Sequence, residues 1–183
     1  MIVNNFTVPV FIKKFKQHKN YKQKILDEIN SSDLKRRLKE NTNNGISVST
    51  DWSINSEIKR PYYDLIEKDL YNHFFDDITS VLKCKKINIV NFWFNEYNFI
   101  NEDFHGWHLH EECMWTNIYY VDLQEKFPKT ELKNYMGQII SYNVEEGDIL
   151  TFPSIVFHRS NITKQNYKKT IISFNCNIGY EYE

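Results

Sequence analysis

Apolar and polar residues alternate most regularly in the second half of the chain. Ile87 to Tyr97, INIVNFWFNEY, reads as a core strand. Its residues Asn91, Trp93, Asn95 and Tyr97 share one face, which has the polar-aromatic character of a ligand-cavity wall. Ile118 to Leu123, Gln138 to Val144, Ile149 to Phe152 and Thr170 to Ile178 read as further strands, with a turn at Glu145-Glu146-Gly147-Asp148. Gln124 to Asn134, with Pro128 inside it, reads as a charged connection, and Asn98 to Phe104 as a loop. The first half has a different period. Val8 to Phe15 suits a strand, but Tyr21, Ile25, Leu26 and Ile29 recur at helical spacing, and Ser32-Asp33 caps a turn containing Leu34 and Leu38. Asn41 to Gly45 is a turn, and Ile46 to Ile54 extends after it. Pro61 suits a first helical turn, and Tyr62, Ile66, Leu70, Phe74, Ile78 and Val81 continue one face to Lys83 as the longest helix. Many short strands after a helical first half predict an α+β fold. Its core is a double-stranded β-helix (jelly roll, cupin-like) with N-terminal helices packed on the major sheet.

The 183 residues suit one domain, in which 1–85 form a helical support segment with a first strand and 86–183 form the β-helix core. With 23 basic and 24 acidic residues, formal charge −1, the chain offers no polyanion-binding surface, so no nucleic-acid partner is expected. No segment approaches the ~20 consecutive apolar residues of a membrane span, and the N-terminus lacks a signal-peptide pattern. Cys84, Cys113 and Cys176 show no C-x-x-C spacing and read as free thiols, so a cytoplasmic location is expected.

The candidate chemistry lies in Phe104 to Asp122, FHGWHLHEECMWTNIYYVD, where His105, His108 and His110 crowd together. On an extended strand His108 and His110 would project to one side, with Glu112 beyond them. A distant His158 follows the strand Ile149 to Phe152 and a proline, and Lys168-Lys169 precede the last strand. An H-x-H or H-x-E pair, a distant His and a basic residue shortly after it fit a ferrous site that takes a 2-oxo acid. Arg159, next to His158, reads as a substrate contact or a surface ion-pair partner, and Trp93, Trp107 and Trp115 as candidate cavity walls. His18 and His73 read as structural or exposed.

These residues resemble the 2-oxoglutarate and iron(II)-dependent oxygenases, in particular a group common in marine bacteria and phages with the pattern G-D-[FY]-N-x-x-H-x-H-P…S-G-V-Y-Y. Glu102-Asp103-Phe104-His105-Gly106-Trp107-His108-Leu109-His110 and Ile118-Tyr119-Tyr120 fall on it without a gap. Gly147-Asp148-Ile149-Leu150-Thr151-Phe152-Pro153-Ser154…His158 and Lys169…Ser173-Phe174-Asn175 are similar to the group's later G-D-L-V-L-F-P-S…H and R-I-S-I-S-F-N. The sequence departs at Glu102, Glu111 and Lys169, where the group has Gly, Pro and Arg.

The resemblance implies an oxidoreductase that uses Fe(II), 2-oxoglutarate and O2 to hydroxylate an unactivated C–H bond, on a prolyl, other peptidyl, amino-acid-like or small-molecule substrate. It implies His108, His110 and His158 as metal ligands, with Glu112 as the rival carboxylate. Glu112 lies four residues from His108, roughly 13 Å along a strand at ~3.3 Å per residue, which favours His110. Lys169 would hold the distal carboxylate of 2-oxoglutarate as a point charge, with Tyr120 donating to the same group. Two other readings compete: a cupin-like metal- or sugar-binding jelly roll without turnover, and a three-His iron dioxygenase that needs no 2-oxoglutarate.

Overall fold

A computed structural model describes residues 7–31, 34, 46–54, 58–70, 76–98, 102–162 and 168–179. The turn expected over 41–45, most of the capped turn at 32–38, and His73 lie outside the described residues.

The strand-rich half forms two antiparallel sheets, as its alternation demands. In chain order the strands are β1 (Phe11–Lys14), β2 (Ile46–Ser47), β3 (Ser49–Thr50), β4 (Lys86–Asn98), β5 (Phe104–His108), β6 (Trp115–Leu123), β7 (Thr130–Lys133), β8 (Ile139–Ser141), β9 (Asp148–Pro153), β10 (Phe157–Ser160) and β11 (Lys168–Gly179). Among the described residues the helices are α1 (His18–Ile29), α2 (Pro61–Leu70) and α3 (Asp76–Leu82), and Leu34 is helical as well. The major sheet has the order β1-β9-β6-β11-β4-β3 and the minor sheet β2-β5-β10-β7-β8, which together form the jelly roll.

Strand parity divides the buried residues between two cores. Phe94 of β4, Tyr119 and Val121 of β6, Ile149 of β9, and Ile172 and Phe174 of β11 face the helices, where they meet Ile25 and Ile29 of α1 and Tyr62 and Ile66 of α2. The alternate residues Tyr97, Ile118, Tyr120, Leu150, Phe152 and Ile171 face the minor sheet and meet Phe127 and Leu132. Because β6 is odd-numbered toward the helices, Trp115 joins the first core, 5.7 Å from the Phe11 ring, and not the cavity wall expected of it.

A polar lock also docks α1 on the sheet. His18 Nδ1 lies 2.8 Å from the Tyr119 hydroxyl and its Nε2 3.2 Å from Glu146, while Lys22 pairs with Asp122 at 2.8 Å and Glu146 at 2.7 Å. Gly147 accommodates this packing. It has φ +86°, and a Cβ there would come within 2.9 Å of the His18 ring.

Several elements differ from the sequence reading. The connection 124–134 contains β7, and His158 sits on a strand of its own, β10. Both strands are four residues long, too short to show a period. The helix expected from Pro61 to Lys83 is described as α2 and α3, with 71–75 outside the described residues, and Val81 is 63% exposed despite its place in the apolar series. Glu102, in the resemblance's glycine position, takes φ +53°. That left-handed backbone costs a non-glycine residue on the order of 1 kcal/mol. No described helix is long and apolar enough to cross a membrane, and the three cysteines are free.

Candidate metal centre

Two neighbouring strands of the minor sheet carry the histidines. His108 ends β5 directly opposite His158 of β10, and their ring centroids are 4.1 Å apart. The strand stops there, so His110 is not placed by strand alternation. Its backbone N–H donates to Ser154 O at 3.1 Å, and its ring lies 5.3 Å from His108 and 4.9 Å from His158. One nitrogen from each of the three imidazoles falls within 4.8 Å of the others.

Each ring is oriented through its Nδ1. His108 Nδ1 lies 2.8 Å from Gly106 O, His158 Nδ1 lies 3.0 Å from Val156 O, and His110 Nδ1 lies 2.7 Å from Asn175 Oδ1. The partners of His108 and His158 are main-chain carbonyl oxygens, which only accept, so Nδ1 carries the proton and Nε2 keeps its lone pair; the amide oxygen of Asn175 asks the same of His110, whose Nδ1 also lies 3.0 Å from the Thr116 hydroxyl. Metal-binding histidines are oriented in this way. Burial also keeps the rings neutral. It lowers His108, pushes His110 down to about 4 although the Asn175 bond opposes it, and holds His158 well below the ordinary range. Three neutral imidazoles suit a first-row divalent cation such as Fe(II). Glu112 is exposed, at φ +64°, and is not among the converging groups.

His105 is a fourth imidazole at this place, stacked on His108 with centroids 3.7 Å apart and ring planes 6° from parallel. Strict alternation would put His105 and His108 on opposite faces. The ladder between β5 and β10 slips, pairing His108 with His158 but His105 with Ser160, and this brings both rings to one cavity. Burial, with the neighbouring histidines and Lys169, pushes His105 down to about 3.

Lys169 is fully buried and its neighbour Lys168 exposed, as opposite strand parity predicts. Its Nζ donates to Ser160 Oγ at 2.6 Å and Pro128 O at 3.1 Å, and lies 4.4 Å from the Tyr97 ring centre and 4.9 Å from that of Phe127. No carboxylate pairs with it among the described residues, and burial pushes its ammonium down to about 7. Ser160 stands two residues beyond His158 on β10, so one short strand connects the histidines to the cation. Tyr120 is buried, with its hydroxyl 2.9 Å from Thr130 Oγ1.

An inner cavity of about 20 Å³ touches all four histidines, Tyr97, Thr130, Ser160, Ile171 and Ser173. An outer one of about 220 Å³ opens from His105, His108 and His110 past Asn95 and Trp93 to Trp52. Trp93 is thus a wall, its ring 5.5 Å from that of His110. Trp107 instead lies beneath Lys133 and Arg159, 4.3 and 4.5 Å from its ring centre, and Arg159, which also lines the inner cavity, pairs with Glu131 at 2.6 Å. Asn91 is exposed and lines neither histidine cavity. The sequence reading missed His105, Ser160 and Asn175 as site residues. His105 had a signal in its crowding with His108 and His110, and Asn175 in sharing the parity of Lys169, Ile171 and Ser173, whereas Ser160 had none.

No protein-family model and no curated protein matches the chain. Solved structures do. A prolyl hydroxylase from Trichoplax adhaerens, in complex with a hypoxia inducible factor oxygen degradation domain peptide fragment, superposes with TM-score 0.70 at 10% identity, covering 93% of this chain and 84% of that one. A Pseudomonas putida prolyl-4-hydroxylase gives TM-score 0.60 at 12% identity over 96% and 95% of the two chains. The viral collagen prolyl hydroxylase of Paramecium Bursaria Chlorella virus-1, as its 2OG complex, gives 0.58 at 14% over 91% and 94%. At such identities the likeness is one of fold: the chain has the architecture of the prolyl hydroxylases and of the 2OG-Fe(II) oxygenase family.

Proposed function

We propose that the chain is an Fe(II)- and 2-oxoglutarate-dependent oxygenase that hydroxylates an unactivated C–H bond of a peptide or small-molecule substrate. One observation carries this reading: three imidazoles with their Nε2 lone pairs freed by Nδ1 anchors stand one short strand from a buried lysine that has no carboxylate partner among the described residues. A binding module has no need of such a cation, whereas a dicarboxylate cosubstrate supplies its counter-charge. When bound, iron and 2-oxoglutarate would together activate O2, converting 2-oxoglutarate to succinate and CO2 and inserting one oxygen atom into the substrate C–H bond. His108, His110 and His158 would hold the metal. Lys169 would exchange Ser160 and Pro128 for the distal carboxylate, within reach of Tyr97 and the Tyr120–Thr130 pair, and the apolar walls would exclude water.

A second reading, a three-His iron dioxygenase acting without 2-oxoglutarate, is favoured by the inner cavity. Its volume of about 20 Å³ admits a water but not a five-carbon diacid unless the walls move.

Anaerobic calorimetry of the Mn(II)-loaded protein separates the two. We expect saturable 2-oxoglutarate binding that weakens at least tenfold in Lys169→Ala, since a charge-assisted contact is worth roughly 1.5–3 kcal/mol, and succinate release once Fe(II) and O2 are supplied. His110→Ala should abolish tight metal binding and Glu112→Ala should cost little. Absence of 2-oxoglutarate binding with metal binding intact would favour the second reading.

A further inference from the structure

β4 is 13 residues long, yet on the side away from β11 it pairs only with the two-residue β3, at Glu96 and Asn95. Asp51 and Thr50 then take up the next outward backbone groups: Phe94 N–H donates to Asp51 Oδ1 at 2.8 Å, and Thr50 Oγ1 donates to Phe94 O at 2.7 Å. Because N–H and C=O of one strand residue point the same way and alternate along the strand, Phe92 presents the next outward pair. Among the described residues no strand pairs with this edge from Lys86 to Phe94.

A groove of about 510 Å³ runs along it. Five consecutive β4 residues, Ile89 to Trp93, line the groove. β4 bulges at Val90, where its ladder with β11 passes from Asn91 directly to Ile89, and the groove meets residues of both sheet faces across that bulge. The opposite bank includes Ile54, Ile58 and Tyr63 together with three charged residues in ion pairs: Arg60 pairs with Asp51 at 2.8 Å, and the exposed Lys59 with Asp64 at 2.7 Å. Val90 is 44% exposed on this edge. Among the described residues no strand covers this edge, and an unpaired strand edge is a template for another strand.

Trp52 and Trp93, ring centres 4.4 Å apart, line both this groove and the outer cavity leading to His105, His108 and His110. Free main-chain hydrogen-bonding groups favour a ligand that carries them at strand spacing, and the shared tryptophans aim one of its side chains toward the histidines. We propose that the substrate is a polypeptide segment that docks by strand addition on the β4 edge, with one side chain inserted past Trp52 and Trp93. The proposal rests on the oxygenase reading for what happens to that side chain, but the docking is measurable without turnover.

The test uses the full chain, free of metal and 2-oxoglutarate, and positional-scanning pools of fluorescein-labelled decapeptides read by anisotropy. At least one pool should bind, and a peptide resolved from it should slow hydrogen exchange at the Phe92 amide at least tenfold. Val90→Lys, at an exposed position, should weaken that peptide at least tenfold while leaving Mn(II) binding unchanged, and Trp52→Ala should weaken it comparably. Absence of binding by every pool would overturn the proposal, as would peptide binding with Phe92 exchange unchanged. So would a concentration-dependent dimer that protects Phe92 without peptide, since a second copy would then own the edge. Failure of 2-oxoglutarate to bind in the separate calorimetry would remove the oxygenase reading and leave the docking result standing.

Discussion

At the residue scale, Lys169 shows how a site can cost stability. Burial lowers its ammonium from 10.5 to about 7. Between those values the unfolded chain binds more protons than the folded one, so this group makes stability rise as pH increases through the window, and its penalty is fully present below pH ~7. At about 1.36 kcal/mol per pH unit the penalty is of order several kcal/mol. Lys169→Met keeps the stem and drops the charge. It should raise the stability of the metal-free protein by about 1–3 kcal/mol at pH 7, in line with other buried charges replaced by apolar groups. The same change should flatten the rise between pH 7 and 8.5 in urea titrations. Lys168→Met, at an exposed position, should do neither. A loss of stability in Lys169→Met would mean that the Ser160 and Pro128 hydrogen bonds outweigh the desolvation.

At the scale of elements, short strands and slipped registers position the chemistry, and one buried carboxylate ties three of them together. Asp51, after β3, accepts from Phe94 N–H of β4, from Arg60 Nε at 2.8 Å just before α2, and from the Tyr62 hydroxyl at 2.5 Å within α2. Burial raises its carboxyl, against the hydrogen bonds and the Arg60 charge that lower it. Asp51→Ala would strand a largely buried guanidinium and free the β4 backbone. It should cost about 3–5 kcal/mol in denaturant titration, and Trp52, next in sequence, should lose its packing on Trp93, seen as a change in tryptophan fluorescence. A cost under 1 kcal/mol would show that solvent reaches Arg60 and replaces the carboxylate.

For the whole molecule, the helices and the site lie on opposite faces of the major sheet, joined through β4, β6 and β11. A fragment beginning at 86 would expose Phe94, Tyr119, Ile172 and Phe174, which the helices bury in the full chain. It should show no cooperative thermal transition by circular dichroism and should bind Mn(II) at least tenfold more weakly; a cooperatively folded fragment would mean that the β-helix stands without its helical support. What depends on local backbone geometry is legible in the order of the residues. Alternation separated Lys169 from Lys168 and set Tyr120 beside Ile118, helical spacing marked α1 and the start of α2, and the motif order singled out the three histidines. Only the tertiary structure revealed β7 and β10, turned Trp115 into the helix-facing core, brought His105 onto His108, anchored His110 to Asn175, and left the β4 edge open beside the Trp52–Trp93 pair. Each of these depends on which strand lies next to which, and in what register, across tens of intervening residues. A two-residue period records which way a side chain leaves its own strand, but carries no information about the neighbour it meets.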